Sequence, residues 1–482
     1  MDNKLLIDQG CPSLFLHNTD IYSKGDELYA CTLNQTDVET NSNKFLIMQL
    51  LTRAHGQAFF IVTRSGRTGY AGTDQVDCCM FEKDAIREFE NRFREKTGFN
   101  WENRYTAEKV AGKYNYIEMQ YEKKTSSASA DSSIELTGLL LHPTICSFIT
   151  MIFDPEIYKN AAEQYRLDLK RTPLGVISET QLLKAYAVLN DLSENLEYYT
   201  KQQFTQLTSE FYTIVPTNYG MTKPPILNNA DIIKEKLDLL KFLDDADIMA
   251  KIMKKTLNTT NQLEKRYLSL ECDLKVLENI ERQTLIRDYM TLSAGHHCKL
   301  SLQYILEIDR HGEYTRFSSW NTLHNRQLLW HGSPLANFVS ILSQGLRINA
   351  ANVVKTGSMF GNGIYFANSS TKSAQYMRTA NSNGLGLLLL CEVALGNCYE
   401  KYTSEYISKL PTGKHSTYGV GRHTPNQHAY TTIDDGLIVP LGNLIERKDF
   451  SGSLNYDEFI VYDQSQIRIR YILVVRVVGG EL

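Results

Sequence analysis

Between Lys123 and Ser133 the chain reads Lys-Lys-Thr-Ser-Ser-Ala-Ser-Ala-Asp-Ser-Ser. A stretch so small, polar and aperiodic cannot bury enough surface to offset the entropy of ordering itself. It therefore reads as a linker, and the segments on either side must form separate bodies. The hydrophobic period changes across it.

Before the linker, Lys44 to Leu51, Ala58 to Thr63 and Tyr114 to Tyr121 are rich in β-branched and aromatic residues and read as strands. Gly66, Gly69 and Gly72 recur every third residue, which predicts turns with positive φ or close backbone approach. Phe81 through Lys96 carries Ile86, Phe89 and Phe93 at helical spacing with charges between them. After the linker, Phe148, Ile149, Met151, Ile152, Ile157, Ala161, Tyr165 and Leu169 follow a helical period. Ser178 with Gln181 forms a capping-box pattern, and Asn228 or Asn229 can cap a long helix carrying Ile232, Ile233, Leu237, Leu240 and Leu243. Residues 135–258 read as a helical bundle, with the helical half of a larger mixed domain as the other reading of the same pattern. From about 259 onward, strands at Leu387 to Val393, Phe459 to Tyr462 and Tyr471 to Val478 alternate with Gly-rich turns and a few helices. The expected class is multidomain α+β: a small β-rich N-terminal domain, an all-α middle, and a C-terminal α+β domain with a mostly antiparallel sheet.

Length agrees, since 482 residues at roughly 150 per domain predict about three domains. With 51 Lys+Arg against 55 Asp+Glu the net charge is −4, which excludes a histone-like polycation. Any nucleic-acid binding must then use a local patch. The nine cysteines include no CxxC pair, which argues against zinc fingers and a secreted disulfide framework. The start at Met1-Asp2-Asn3-Lys4 shows no signal peptide, and the Leu385 to Leu390 run is far short of a bilayer span. The expectation is a soluble intracellular protein with reduced thiols, no metal and no membrane.

Three clusters carry chemistry. In Leu328-Leu329-Trp330-His331-Gly332-Ser333-Pro334, a strand end delivers His331 beside a glycine that lets a ligand approach, with Ser333 as N-cap and Pro334 at N1 of a helix through Leu342. Taken alone, His331 is as readily a histidine satisfied within a turn. In Gly357 to Ala367, Gly361-x-Gly363 lacks the third glycine and the βαβ pattern of a dinucleotide fingerprint. Tyr365 and Tyr376 could sandwich a flat ring, or be ordinary core or rim aromatics. In Asn455 to Asp463, Glu458 shares a strand face with Tyr456, Ile460 and Tyr462, while Asp457, Phe459 and Val461 face the other way. A carboxylate entering an apolar strand is costly unless paired or functional. An exposed strand-end acid is the plainer alternative.

Together, His331-Gly332, Tyr365 and Glu458, with Ser373 and Tyr376 between, resemble the His-Tyr-Glu signature of the poly(ADP-ribose) polymerase family. Phe360-Gly-x-Gly-Ile-Tyr-Phe-Ala, Glu392-Val-Ala-Leu-Gly396, Ile407 to His415 and Val439-Pro-Leu-Gly442 read like its catalytic domain. Met151-Ile-Phe-Asp154, Pro173-Leu-Gly175, Phe211-Tyr-Thr213, Gly220-Met221 and Pro224 to Ala230 resemble its helical regulatory domain. Leu33-Asn-Gln-Thr36, Arg64-x-Gly66-Arg67, Asn100-Trp101-Glu102-x-Arg104 and Gly112-Lys113-Tyr114 are similar to a WGR domain. The likeness is to the short, DNA-dependent members without zinc fingers. Ser65 stands where the WGR tryptophan would be, which removes an aromatic platform beside a DNA end. Ser358 stands where relatives often carry an aromatic residue, and the tail from Val477 to Leu482 also differs from theirs.

The resemblance implies an N-terminal extension at 1–20, a WGR domain at 21–122, a linker at 123–134, an autoinhibitory helical domain at 135–258 and an ADP-ribosyltransferase domain at 259–482. It implies NAD+ as substrate and no metal. His331 would bond the adenine-side ribose. Gly332 and Ser373 would hold the nicotinamide carboxamide, Tyr376 would stack on that ring, and Tyr365 would complete the pocket. Ser333, Arg347 and Lys372 are further cofactor-side candidates. Glu458 would be catalytic, with His331 and Tyr365. Tyr456 and Met359 would lie on the acceptor side. Arg67, Arg64, Asn34 and Lys113 would meet DNA ends or nicks. The implied function is a DNA-break-stimulated transferase that releases nicotinamide and builds poly(ADP-ribose) on proteins, itself included, in the nucleus during the DNA damage response. An accessory factor is a further implied partner. A mono-ADP-ribosyltransferase and an inactive NAD- or ADP-ribose-binding scaffold are the alternatives.

Overall fold

The computed structural model describes residues 7–8, 10–53, 58–118, 140–167, 177–256, 261–295, 298–348, 359–434 and 436–478. The expected linker, Pro173-Leu-Gly175, Ser358 and the end of the tail lie outside them. The chain divides into two compact units, Met1–Ser133 with Ala162–Asp247, and Ile134–Ala161 with Ile248–Leu482.

In the first unit, an antiparallel sheet runs in the order Thr73–Cys79, Phe59–Arg67, Ser42–Arg53, Ala30–Asp37 and Asn115–Ile117, with Thr19–Ile21 also paired to Ser42–Arg53. The expected helix is present as Glu82–Thr97. Its apolar stripe, Ala85, Phe89 and Phe93, is fully buried against Leu33, Leu46, Met48, Leu50, Ile61 and Trp101. It stops at Gly98, whose φ of 88° is left-handed and whose N–H bonds the Arg94 carbonyl. Gly69 and Gly72 have positive φ, as the glycine rhythm predicts, whereas Gly66 lies inside a strand, where a Cβ would come 2.7 Å from the Gly72 Cα. The strand expected from Tyr114 is short, Asn115–Ile117.

This unit also holds Glu179–Glu194, capped by the Ser178 hydroxyl on the Gln181 N–H, and Lys201–Ile214, which carries the full capping box between Thr200 and Gln203. The long helix Ala230–Thr256 begins at Asn229, whose side chain accepts from the Ile232 N–H at 2.9 Å.

In the second unit, Pro143–Ile152 packs on Gln262–Leu268 and Cys272–Val276. A seven-stranded sheet follows the order Thr431–Ile433, Leu437–Val439, Arg326–Ser333, Leu385–Ala394, Ile467–Val478, Lys299–Arg310 and Cys272–Val276. Only Arg326–Ser333 with Leu437–Val439 pairs in parallel. The unbroken apolar run Leu387 to Leu390 suits the central strand, which is covered on both faces. Ile280–Leu292 contributes Ile286 and Tyr289 to the core around Leu328, Trp330, Leu388 and Leu473.

A second sheet orders Ile364–Phe366, Glu458–Val461, Ser416–Gly419 and Cys398–Lys401. A third has Gly421–Pro425 between Leu444–Glu446 and Leu454–Tyr456. Two reciprocal backbone bonds between Trp330 and Ala367, 2.8 and 3.0 Å, tie the large sheet to the second. One local expectation fails. Ser333 does not cap a helix but ends the strand, its hydroxyl accepting from the Asn337 amide at 3.1 Å. A 3₁₀ turn, Leu335–Asn337, precedes the helix proper, Phe338–Gln344, because Pro334 is extended at ψ 144°.

Candidate active site

The end of Arg326–Ser333, the strand Ile364–Phe366, the short helix Ser370–Ala374 and the strand Glu458–Val461 meet in the second unit. His331 lies 2.8 Å through Nδ1 from the Tyr365 carbonyl oxygen. A carbonyl only accepts, so Nδ1 carries the proton and the ring is fixed in one tautomer. Next to it, Gly332 is obligatory, because a Cβ there would lie 1.9 Å from the Ser373 carbonyl oxygen. Ser373 in turn donates its hydroxyl to the Trp330 carbonyl at 3.0 Å. His331, Gly332 and Ser373 therefore form one wall.

Tyr365 forms a second. Its hydroxyl donates to the Gly361 carbonyl at 2.8 Å and accepts from the Phe360 N–H at 3.1 Å, closing the glycine turn. Gly361 sits at φ 85°, and a Cβ there would strike the Ile407 carbonyl at 2.3 Å. The Gly361-x-Gly363 pattern thus serves a close-packed turn clasped by Tyr365.

The carboxylate faces a cation. Glu458 is only 7% exposed, and its Oε1 lies 2.7 Å from Lys372 Nζ. An exposed strand-end acid is therefore excluded. Burial opposes the charge on Lys372, but the Glu458 carboxylate outweighs it and raises the ammonium pKa above its ordinary value. Lys372 Nζ also lies 5.5 Å from the ring centroid of Tyr376 and 3.4 Å from its hydroxyl. Tyr376 itself is 44% exposed. Of the other candidates, Arg347 donates to the Ser340 hydroxyl at 3.2 Å, and Ser333 is buried on Asn337.

Sequence reasoning treated Asp457 only as the residue facing away from Glu458. It is fully buried and collects five hydrogen bonds, from Gly421 N–H, Asn368, Tyr418 and both terminal nitrogens of Arg447. The available signal was two adjacent carboxylates in an apolar strand, one of which must point inward.

The residues expected to meet DNA are placed differently. Asn34 is 1% exposed and donates to the Tyr212 and Thr213 carbonyls at 3.0 and 3.1 Å. Arg64 is 6% exposed, forked on Asp8 at 2.5 Å by two bonds, with a third to the Ala71 carbonyl. Both are corrections to the expected surface patch, because satisfied buried groups offer nothing to a phosphate. Arg67 is half-buried and bonds the Gly220 carbonyl at 2.6 Å and Asn41 at 2.7 and 2.9 Å. Lys113 is exposed, its ammonium on the Glu95 carbonyl at 2.9 Å. Among the described residues, no group of three or more His, Cys, Asp or Glu side chains could hold a metal ion, and no helix is long and apolar enough to cross a membrane.

Residues 254–477 match the family model described as the poly(ADP-ribose) polymerase catalytic domain, 140–267 the poly(ADP-ribose) polymerase regulatory domain, and 29–108 the WGR domain. Similar curated proteins include poly [ADP-ribose] polymerase 2-A of Oryza sativa subsp. japonica, 38% identical over 93% of this chain and 70% of its own length. Poly [ADP-ribose] polymerase 2 of Zea mays is 36% identical over 97% and 73%. Poly [ADP-ribose] polymerase 1 of Gallus gallus is 36% identical over 94% of this chain but 45% of its own length.

Proposed function

This chain belongs to the poly(ADP-ribose) polymerase family and is an NAD+ ADP-ribosyltransferase, and from that premise we propose how its residues carry the reaction. The Glu458–Lys372 contact inside the His331–Tyr365 walls carries this reading.

The bond between nicotinamide and ribose breaks with its electron pair leaving on the nicotinamide nitrogen, and the ribose passes through an oxocarbenium-like transition state. The Gly332 backbone and the Ser373 hydroxyl hold the carboxamide, and Tyr376 stacks on its ring. The His331 imidazole bonds the adenine-side ribose, while Ser333 and Arg347 line the adenosine side. Glu458 bonds the nicotinamide-side ribose, stabilises its developing positive charge and takes the proton of the attacking acceptor hydroxyl. General-base help of this kind contributes about 10²–10⁴-fold. Lys372 holds the Glu458 carboxylate in place before substrate arrives. The acceptor oxygen is that of a protein, this one included, or of a growing polymer, with Tyr456 and Met359 on its side.

The domain borders we assign are 21–122 for the WGR domain, a linker at 123–134, 135–258 for the helical regulatory domain and 259–482 for the transferase domain. The WGR domain is a DNA-binding domain. DNA ends or nicks are the stimulus we assign to it, with Lys113 as the exposed cation. Arg67 joins the sheet to the Gly220 turn of the helical segment, so a phosphate drawing that guanidinium away would loosen the turn and shift the population toward an open state. A nuclear, DNA-damage role follows from that stimulus.

The test is incubation of the purified chain with labelled NAD+, with and without nicked 5′-phosphorylated DNA. A DNA-stimulated ladder on a gel is expected. Glu458→Gln should abolish the ladder and lower turnover about 10²–10⁴-fold, or roughly 3–5 kcal/mol. Long polymer made at the parent rate by Glu458→Gln sinks the assignment.

A further inference from the structure

The Asp457 carboxylate is fully buried, and the five hydrogen bonds it accepts come from four residues on different strands and loops. Oδ1 accepts from the Gly421 N–H at 2.8 Å and Arg447 Nη1 at 2.9 Å. Oδ2 accepts from Asn368 Nδ2 and the Tyr418 hydroxyl, both at 3.0 Å, and from Arg447 Nη2 at 3.2 Å. Arg447 Nη2 also donates to the Tyr418 oxygen at 2.6 Å, and Nη1 bonds the Gly421 carbonyl. A buried carboxylate satisfied by a bidentate guanidinium and three further donors resists rotation, since any turn leaves donors orphaned in a dry site.

The donors are elements that build the active site. Asn368 follows Ala367, whose backbone holds Trp330 next to His331. Tyr418 lies on the strand Ser416–Gly419, where Gly419 pairs with Glu458 itself, and its ring stacks on Phe459 with centroids 4.8 Å apart and planes 3° apart. At Gly421 a Cβ would come within 2.1 Å of the Tyr456 carbonyl carbon, so the two backbones touch just before the catalytic strand begins. Asp457 is also the break between Leu454–Tyr456 and Glu458–Val461, the hinge at which the chain passes from one sheet to the next.

We infer that Asp457, clamped by Arg447, is a positioning residue for Glu458: it fixes the angle at which the strand enters the site and so aims the neighbouring carboxylate at Lys372 and the bound ribose. The inference rests on Glu458 being the carboxylate that acts on NAD+. Asp457 touches no substrate and acts only through its neighbour. Asp457→Asn keeps the volume but turns one acceptor into a donor facing Asn368, Tyr418 and Arg447. Misplacement of a reacting group by about 1 Å costs on the order of 10²-fold.

The experiment is steady-state nicotinamide release from NAD+ by the full chain with nicked DNA present. It compares the parent, Asp457→Asn, Arg447→Met, Arg447→Lys, Glu458→Gln and the Asp457→Asn/Glu458→Gln double variant. We expect kcat to fall about tenfold to hundredfold in Asp457→Asn and Arg447→Met with KM for NAD+ within about threefold, and Arg447→Lys, which keeps the charge but not the fork, to recover only part of the loss. The double variant should be no slower than Glu458→Gln alone, because a residue acting through Glu458 has nothing left to position. Losses that multiply in the double variant, or a change confined to KM, overturn the inference. If Asp457→Asn does not fold, the same cycle is run with Arg447→Met, since the Arg447 side chain is 24% exposed. Turnover unchanged in Glu458→Gln would instead refute the catalytic role of Glu458, separately from anything Asp457 does.

Discussion

Arg64 with Asp8 and Lys372 with Glu458 are both sparsely exposed ion pairs, at 8% and 8% in the first and 19% and 9% in the second. Their chemistry is opposite. Arg64 uses three nitrogens, two on Asp8 and one on the Ala71 carbonyl, and its guanidinium lies 5.3 Å from the Phe45 ring centroid. Even Gly10 is excluded from carrying a side chain, since a Cβ would sit 2.6 Å from that guanidinium. The pair is closed on every side. Lys372 instead meets one carboxylate oxygen and, at 3.4 Å, the hydroxyl of the 44% exposed Tyr376. A closed pair fastens a chain segment, whereas a pair with an open flank can exchange a partner for a substrate. Fractional burial does not separate the two; the number of donors already satisfied does.

Four variants probe that contrast. Arg64→Met should have the largest effect, because it leaves Asp8 buried without its partner: a loss of about 3–5 kcal/mol in chemical denaturation of the first unit. A loss below about 1 kcal/mol would mean that the pair is not closed. Arg67→Ala removes the charge-assisted bonds to Gly220 and Asn41 from a half-buried side chain, about 1.5–3 kcal/mol in all. It should raise DNA-free activity and speed amide exchange in the Gly220 turn; unchanged values in both assays would remove Arg67 as the link.

Lys372→Met comes next, with kcat lower by about tenfold, roughly 1.4 kcal/mol. Its pH signature has a definite sign. The folded-state pKa of Lys372 is raised, so the stabilisation of the pair is complete below the ordinary lysine value of about 10.4 and is lost as pH rises through the folded value. The parent-minus-variant stability difference, measured by denaturation between about pH 8 and 11.5, should therefore shrink only at the alkaline end. A difference flat across that range contradicts the pair. Lys113→Ala should do least: a reduction of about one in the salt slope of DNA binding, with no change in Tm. A slope equal to the parent's would move the DNA contact elsewhere.

Much of the fold was legible because it is local. The helix Glu82–Thr97 shows its stripe and its glycine stop in sequence, and Asn229 is a visible cap. The apolar run Leu387 to Val393 reads as a strand, and the structure covers it on both faces. His331, Tyr365 and Glu458 are proposed from their resemblance to family motifs, and in the structure His331 bonds Tyr365 while Glu458 meets Lys372. What was not legible shares one cause. Asp457 binds partners 36, 39 and 89 residues away, and Asn34 finds its acceptors 178 and 179 residues on. Arg64 and Asn34 look like a basic and polar patch until those partners are known. Ser333 differs for a local reason: Pro334 is extended, so the chain makes a 3₁₀ turn before the helix and Ser333 ends the strand.

The amino-acid sequence by itself determined the kinds of body this chain folds into, the change from strand-rich to helical patterning, and the family to which it belongs. Periodicity and turn preference act over a few residues and need no distant information. Only the tertiary structure decided which charges are already satisfied and which remain open. Satisfaction depends on donors brought together by sheet order and register, over separations that local patterning does not encode. So Arg64, a candidate DNA ligand, is buried against Asp8, while Asp457, beside Glu458, is buried under five hydrogen bonds.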